Sequence, residues 1–186
     1  MRRHLEDYFN RMRGLEAPPS RARLSHVMWS GIGAFLGIYL ISVLNQYIFI
    51  NSVDTIFLVG SFGASAVLIY AVPQAELSQP RNLIGGHILS AFIGITVYKY
   101  VPLEISLLSA LAVSLSIVAM HFTRTLHPPG GATALIAVIG SSQIHELGYM
   151  FVMTPIATGA FILLIIALAV NNMSNNPNRH YPRYWW

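Results

Sequence analysis

The chain has 186 residues, of which 54% are hydrophobic and only 10% are charged, and its formal net charge at pH 7 is +4. A soluble domain carries about 25% charged residues, so the composition excludes an ordinary soluble fold and predicts one integral membrane domain. The basic residues flank apolar runs, which is a pattern of membrane topology and argues against nucleic acid as a partner. No cysteine is present, which excludes disulfides, thiolate chemistry and cysteine-based metal sites.

The N-terminal 24 residues predict an arm outside the bilayer. They hold six arginines and no apolar core, so they do not read as a secretory signal. Apolar residues fall at helical spacing beside the arginines, which predicts an amphipathic helix on an anionic membrane surface; a disordered basic tail is the alternative. The chain thus divides into a cytoplasmic arm (1–24), a transmembrane domain (25–172) and a cytoplasmic aromatic tail (173–186), the last interpreted as an interfacial anchor.

Six apolar segments follow the arm, and they predict an all-α polytopic membrane protein. A full crossing needs about 20 residues, which the first, fourth and sixth segments reach easily and the fifth does not. The segments run approximately over 27–46, 55–72, 83–98, 103–121, 131–141 and 147–170.

The distribution of charge predicts the orientation of these segments. If all six cross, ten of the 11 basic residues fall on one side and Lys99 stands alone on the other. The positive-inside rule then places both termini in the cytoplasm, in the inner (plasma) membrane. A re-entrant fifth segment would instead place the C-terminal tail outside.

The fifth segment is too short to be a complete membrane helix. Pro128 and Pro129 exclude a helix interior, so a helix is expected to begin near Gly130 and to run for about 11 residues, or about 17 Å. The second segment has a similar pattern, because Gly60-Ser61-Phe62-Gly63 interrupts it. The rest of each crossing is expected to be non-helical chain that is buried in protein or lines a cavity.

The two short segments also resemble each other in sequence. Gly63-Ala64-Ser65-Ala66 is echoed by Gly131-Ala132-Thr133-Ala134, in corresponding places of the two halves. This predicts two inverted three-segment repeats, with broken half-helices beginning near Gly63 and Gly131. Coincidence between two stretches rich in small residues is the alternative.

Two helix N-termini that face each other would form an anion site, because each carries unpaired N–H groups and a partial positive charge of about +0.5. Backbone donors are expected near Gly63, Ala64, Gly130, Gly131 and Ala132. Hydroxyl donors are expected from Ser65 and Thr133.

The ionisable residues favour the same class of ligand. All seven acidic residues lie outside the apolar segments or at their ends, whereas Arg81, Asn82, His87, Arg124 and His127 lie near the broken elements. A pathway with positive groups and no negative ones favours anions. Each of these side chains also has a structural interpretation, as a topology anchor or a buried packing residue. The histidines lack metal-ligand spacing, so we predict no metal, no other cofactor and no catalytic residue.

Three motifs together resemble the HPP family of integral membrane proteins. They are Arg124–Leu135 with its His127-Pro128-Pro129 tripeptide, Phe62–Leu68, and Gln79–His87. The resemblance covers most of residues 25–172, and it implies transport, because family members in cyanobacteria and plastids are nitrite transporters. The sequence alone does not rank nitrite against nitrate, formate or chloride.

The sequence therefore predicts a transporter of a small monovalent anion, nitrite first, that is not an enzyme. Its expected partners are the anion, the lipid bilayer and further copies of itself in a homo-oligomer. Two alternatives remain open at this point: an anion channel, and a membrane enzyme or scaffold with a histidine-bound cofactor.

Overall fold

The computed structural model of the protein describes residues 20–48 and 60–186, together with Tyr8, residues 10–12 and Pro18. In this part of the chain every regular element is a helix, so the predicted all-α class is confirmed. Most of the predicted amphipathic arm, and the start of the second apolar segment, lie outside the described residues. The helices are α1 (Leu24–Ile48), α2 (Gly60–Ala71), α3 (Pro80–Tyr100), α4 (Ile105–Thr123), α5 (Pro128–Ile139), α6 (Ser142–Leu147) and α7 (Val152–Asn172).

Four of the described helices are long and apolar enough to cross a membrane: α1, α3, α4 and α7. Large apolar side chains such as Phe35, Val118 and Phe161 are exposed on their outer faces, as expected of helices in contact with lipid. Helices α2 and α5 are apolar but shorter. The 12 residues of α5 span about 18 Å at 1.5 Å per residue, as predicted for the fifth segment.

The beginnings and ends of the helices follow from local sequence. The Glu104 carboxylate caps α4 by accepting from the backbone N–H groups of Ser106 and Leu107, at 3.0 and 2.9 Å. These bonds, that of Ser106 first, hold the pKa of the Glu104 carboxyl below its ordinary value. Arg124 ends α4 in the left-handed conformation, with φ 56° and ψ 35°.

Two local predictions are wrong, and a third, that the sixth segment can cross the membrane, is confirmed but incomplete. Residues 60–63 are helical, so the interruption expected there is absent and α2 does not begin at Gly63. Helix α5 begins at Pro128, because proline is tolerated in the first turn, where its missing N–H has no intrahelical partner. The sixth segment is not an unbroken span: Thr154 is extended at φ −134° and ψ 118°, next to Pro155, and this breaks the first part of α7.

Helix α3 lies in the middle of the molecule. It packs against α4 and α5 on one side and against the first part of α7 on the other, while α1 packs on α7 and on the end of α2. Glycines make the closest approaches possible. At Gly37 a side chain would meet the Tyr70 hydroxyl at 2.5 Å, and at Gly159 it would meet the Phe62 ring at 2.4 Å.

One end of the molecule collects most of the described basic side chains, and we call it the basic end (residues 20–30, 70–82, 123–127 and 171–183). Contacts join these four segments. Arg179 binds the carbonyls of His26 and Tyr70, and Arg81 donates to the Thr123 carbonyl. At the opposite end, the ring of Tyr98 stacks on His145. The start of α1 and the C-terminal tail therefore lie at the same end.

Candidate functional site

Five polar side chains are buried together where α2, α3 and α5 meet. We call this group the polar cluster: Ser61, Ser65, His87, His127 and Thr133. Four of them have no exposed surface, and Ser61 is 3% exposed. Burial of polar side chains in a membrane protein is costly unless they bond to one another, and sites of this kind are usually functional.

Ser65 joins the two imidazoles. Its hydroxyl lies 2.7 Å from Nε2 of His87 and 2.9 Å from Nε2 of His127. The two rings lie edge to face with centroids 5.0 Å apart, and the Phe62 ring covers His87 at a centroid distance of 5.2 Å. One hydroxyl thus holds both histidines.

The remaining nitrogens have partners as well. Nδ1 of His87 lies 2.8 Å from the Thr133 hydroxyl, which lies 2.9 Å from the Ser61 hydroxyl. Nδ1 of His127 lies 2.9 Å from the Leu77 carbonyl. Both histidines therefore use both ring nitrogens, so an ion that binds to them must replace one of these partners.

Two glycines allow the cluster to form. At Gly86 a Cβ would lie 2.5 Å from Cβ of His127 and 2.8 Å from the Thr125 carbonyl. At Gly130 it would lie 2.8 Å from the Ser90 hydroxyl. Because both positions lack side chains, the segment that carries His127 lies directly against α3, one residue from His87.

The start of α5 differs from the anion site expected there. His127 is the N-cap and is extended, with φ −142° and ψ 103°, and the first two helical positions are prolines. Prolines have no N–H group, and the next donor, the N–H of Gly130, binds the His127 carbonyl at 2.8 Å. The helix end therefore contributes its dipole, while the donors of the site are side chains.

A polar vestibule opens at the basic end. It is a cavity of about 430 Å³ whose lining includes Arg81, Asn82 and Arg124. Arg81 donates to the Thr123 carbonyl at 2.6 Å, and Asn82 donates to the Leu126 carbonyl at 2.8 Å. Leu77 lines the same cavity, and its carbonyl binds His127, so one residue separates the vestibule from the polar cluster.

The structure thus divides the predicted site residues into three groups. Ser65, His87, His127 and Thr133 meet in the polar cluster, while Arg81, Asn82 and Arg124 line the vestibule. The others contribute no side chain to either: Gly130 is buried at the crossing with α3, Ala64 and Ala132 are exposed, and Gly63 and Gly131 are partly exposed. Ser61 was missed, although its position one helical turn before Ser65 places both hydroxyls on one face of α2.

Arg179 is a second buried polar group, which the sequence analysis counted only among the basic residues of the cytoplasmic tail. It has no exposed surface and makes five hydrogen bonds, to the carbonyls of His26 and Tyr70 and to the side chains of His26, Ser30 and Asn171. Burial lowers the pKa of its guanidinium. Since α2 and α7 both end beside it, the cation lies at the negative ends of two helix dipoles.

The tail beyond Arg179 packs on the protein and does more than anchor at the interface. Tyr181 is 3% exposed, and its hydroxyl donates to the Ser78 carbonyl at 2.8 Å. Burial raises the pKa of that hydroxyl. Tyr184 and Trp186 line the vestibule. Within the described part of the chain, no three His, Cys, Asp or Glu side chains converge as a metal site would require.

Comparison with known proteins identifies the family. The family model described as HPP, transmembrane region, matches residues 19–182. Two transmembrane proteins of Dictyostelium discoideum are 44% and 43% identical to this chain over 182 and 176 residues, which cover 96% and 93% of it. The chain spans only 57% and 60% of those relatives' lengths. No solved structure matches. By this match, which covers most of its length, the chain belongs to the HPP family of transmembrane proteins.

Proposed function

We propose that this protein transports a small monovalent anion, nitrite first, across the membrane, and that the anion binds at the polar cluster. One observation carries the proposal: the buried polar groups at the meeting of α2, α3 and α5 are hydroxyls and imidazoles, and no carboxylate bonds to them among the described residues. A site of this composition supplies hydrogen-bond donors and attracts negative charge.

The electrostatic environment supports an anion. The dipole of α5 ends at His127, and a helix N-terminus stabilises a negative charge by about 0.3–1 kcal/mol when exposed and up to about 2 when partly buried. The vestibule adds Arg81 and Arg124, whose charges outnumber that of Glu76 in the same lining. Together with one charged donor, these contributions are compatible with millimolar to micromolar binding, which holds an ion without trapping it.

The path of the anion follows from the contacts. The vestibule at the basic end reaches Leu77, and the next polar group inward is His127. Because the hydrogen bonds of Ser65 close the cluster, an entering anion must take over donors that these side chains now give to one another. The described conformation is thus a closed one, and transport requires the cluster to open toward each side in turn.

We include the six-segment topology and the inverted repeat in the proposal. Two contacts support the repeat: Ser65 of α2 and Thr133 of α5, which correspond in sequence, bind the two nitrogens of His87. The position of the tail beside the start of α1 supports an even number of crossings. By the positive-inside rule, the basic end faces the cytoplasm of the plasma or inner membrane.

The choice of nitrite rests on the family resemblance. A channel for nitrate, formate or chloride would use the same donors, since hydroxyls and imidazoles bind each of these ions. A homo-oligomer completes the proposal, supported by an open apolar groove of about 560 Å³ between α4 and α5 that includes Gly131 and Leu135.

The test is nitrite uptake into proteoliposomes, with nitrate, formate and chloride as competitors. We expect saturable nitrite flux that His127→Ala abolishes. The matched control is His180→Ala, because His180 is exposed at the basic end and lies outside the cluster. Arg124→Ala, at the vestibule, is expected to weaken apparent affinity while leaving the maximal rate largely intact. Absence of flux for all four anions from a folded preparation would refute the proposed function.

A further inference from the structure

The hydrogen bonds of the polar cluster form one continuous chain, and at one end of it the direction of donation is fixed. Nδ1 of His127 faces the Leu77 carbonyl, and a carbonyl only accepts, so the proton of that contact belongs to Nδ1. From this fixed end, the direction of every other bond follows by counting donors and acceptors.

With both histidines neutral, all bonds point toward His127. Its Nε2 carries no proton, so it accepts from the hydroxyl of Ser65. Ser65 then has no second proton to give, and Nε2 of His87 must donate to its oxygen. Nδ1 of His87 is therefore bare and accepts from Thr133, which in turn accepts from Ser61. The two histidines hold opposite tautomers, and every ring nitrogen has a partner. In this direction the hydroxyls give up their longer contacts with backbone carbonyls, those of Ser61 and Thr133 with Pro129 at 3.1 and 3.3 Å and that of Ser65 with Ser61 at 3.4 Å.

With one proton more, the same contacts are satisfied in the opposite direction. A doubly protonated His127 donates from Nε2 to Ser65, and Ser65 donates to Nε2 of His87. His87 then carries its proton on Nδ1 and donates to Thr133. Thr133 donates to Ser61, and the Ser61 hydroxyl donates to the Pro129 carbonyl at 3.1 Å. This second carbonyl closes the reversed chain.

We propose that the polar cluster binds one proton as a co-substrate of the anion and relays it between Ser61 and His127. In the inward step, Ser61 accepts a proton from hydronium, which leaves as water, and Ser61 passes its own proton to Thr133, which passes its own to Nδ1 of His87. His87 gives its Nε2 proton to Ser65, and Ser65 gives its own to Nε2 of His127. One proton enters, His127 gains one, and no oxidant or other reactant is needed. This inference rests on the proposed function of the same site.

The surroundings of the histidines tie the proton to the anion. The groups that face them are the hydroxyls of α2 and α5, the Phe62 ring, the Leu77 carbonyl and, from α4, the Met120 sulfur beside Gly86 and Gly130. Helix α7 contributes Gly159, behind Phe62. Among the described residues, the titratable partner of each histidine is the other histidine. A buried imidazolium that has no carboxylate beside it raises the affinity of the site for an anion. By linkage, the bound anion raises the affinity of the histidine for its proton by the same factor.

Ser65 bridges the two imidazoles and also belongs to the proposed anion site, so the relay is tested by the ratio of proton-driven accumulation to exchange. Ser65→Ala removes the bridge and keeps both imidazoles, and Ser65→Thr is the matched variant that retains the hydroxyl. The full-length protein is reconstituted, and two readouts are taken: exchange of labelled for unlabelled nitrite at equal pH, and nitrite accumulation driven by an acid exterior. Protein-free vesicles correct for undissociated nitrous acid that crosses the bilayer unaided.

We expect the wild-type protein and Ser65→Thr to show both exchange and accumulation. Ser65→Ala is expected to lose part of its exchange, because one hydroxyl donor of the proposed anion site is removed, and the exchange that remains reports that it is folded. The ratio of accumulation to exchange is expected to fall by at least about fivefold, the lower end of the range for coupling between two ligands. A ratio of accumulation to exchange in Ser65→Ala equal to that of the wild type, or wild-type nitrite accumulation that ignores the pH gradient, overturns the relay and leaves transport standing. Absence of wild-type exchange refutes the proposed function itself.

Nitrogen-15 NMR of labelled histidine tests the relay without any flux. Near neutral pH, His127 is expected as the Nδ1–H tautomer and His87 as the Nε2–H tautomer; the two signals are assigned by their loss in His127→Gln and His87→Gln. On protonation of His127, or on addition of nitrite, the His87 signal is expected to change to the Nδ1–H form. Identical tautomers at neutral pH, or a His87 signal that does not change when His127 becomes charged, contradict the proposal.

Discussion

Gly86→Ala tests whether the close approach of His127 to α3 holds the site together. An added Cβ would lie 2.5 Å from Cβ of His127 and 2.8 Å from the Thr125 carbonyl. Carbon atoms in contact prefer about 3.5–4.0 Å, so the segment that carries His127 must move by about 1 Å. That shift stretches the 2.9 Å contact between His127 and Ser65 beyond hydrogen-bonding distance.

The magnitude follows from comparison with Gly31→Ala. Gly31 also lies in a helix, but nothing lies within 4 Å of its added Cβ, so this variant isolates the gain in helix propensity, about 0.5–1 kcal/mol. Gly86→Ala has the same gain and a packing cost of about 1–3 kcal/mol. Because the gain cancels, Gly86→Ala is expected to be less stable than Gly31→Ala by about 1–3 kcal/mol.

Thermal unfolding of both variants in one detergent measures this difference. For a chain of this size, about 1–3 kcal/mol corresponds to a midpoint about 2–12 °C lower for Gly86→Ala. Nitrite exchange in vesicles is expected to fall for Gly86→Ala and to remain at the wild-type level for Gly31→Ala. Equal midpoints with equal exchange would refute the view that the absence of a side chain at this position holds the cluster in place.

Three further predictions address other parts of the molecule. Arg179→Gln removes a buried guanidinium with five hydrogen bonds and is expected to destabilise the protein by about 3–5 kcal/mol in thermal unfolding, whereas the exposed Arg183→Gln should change stability by less than about 0.5 kcal/mol. Capping lowers the pKa of the Glu104 carboxyl below its ordinary value of 4.5 in the folded protein. The ionised cap therefore stabilises the protein above pH 4.5, and this stabilisation is lost as the pH falls through the lower pKa of the folded state. The difference in melting temperature between wild type and Glu104→Gln should disappear in that acidic range. Because the chain has no cysteine, a single introduced cysteine can be labelled without background. With six crossings, an impermeant reagent should label Ser20→Cys and Asn175→Cys from one side of the membrane and Ser142→Cys from the other. Labelling of Asn175→Cys and Ser142→Cys from the same side would contradict that topology.

The predictable part of the fold is the part that local sequence determines. Apolar runs located the described long helices to within a few residues of their ends, because a membrane helix needs an almost continuous apolar stretch. Four cluster residues were found for a related reason: a hydroxyl or imidazole stands out in an apolar run. The break at Thr154 and Pro155 was missed, although the proline is visible, because the apolar run continues on both sides of it.

What the sequence did not reveal depends on distant segments. The burial of Arg179 requires the ends of α2 and α7 to meet the start of α1, and nothing within the polar tail indicates that meeting. The amide donors expected at the start of α5 are absent for a local reason that was overlooked: the prolines that predicted the helix start also remove its first N–H groups. The cluster therefore uses side chains where backbone was expected.

Helix α2 connects the two buried polar groups. Its first described turns carry Ser61 and Ser65 into the cluster, and its last carbonyls, including that of Tyr70, bind Arg179. The turn that follows α2 carries Leu77, whose carbonyl binds His127, beside Ser78, whose carbonyl binds Tyr181 of the tail. Any opening of the cluster that moves α2 or this turn must therefore strain contacts with the tail.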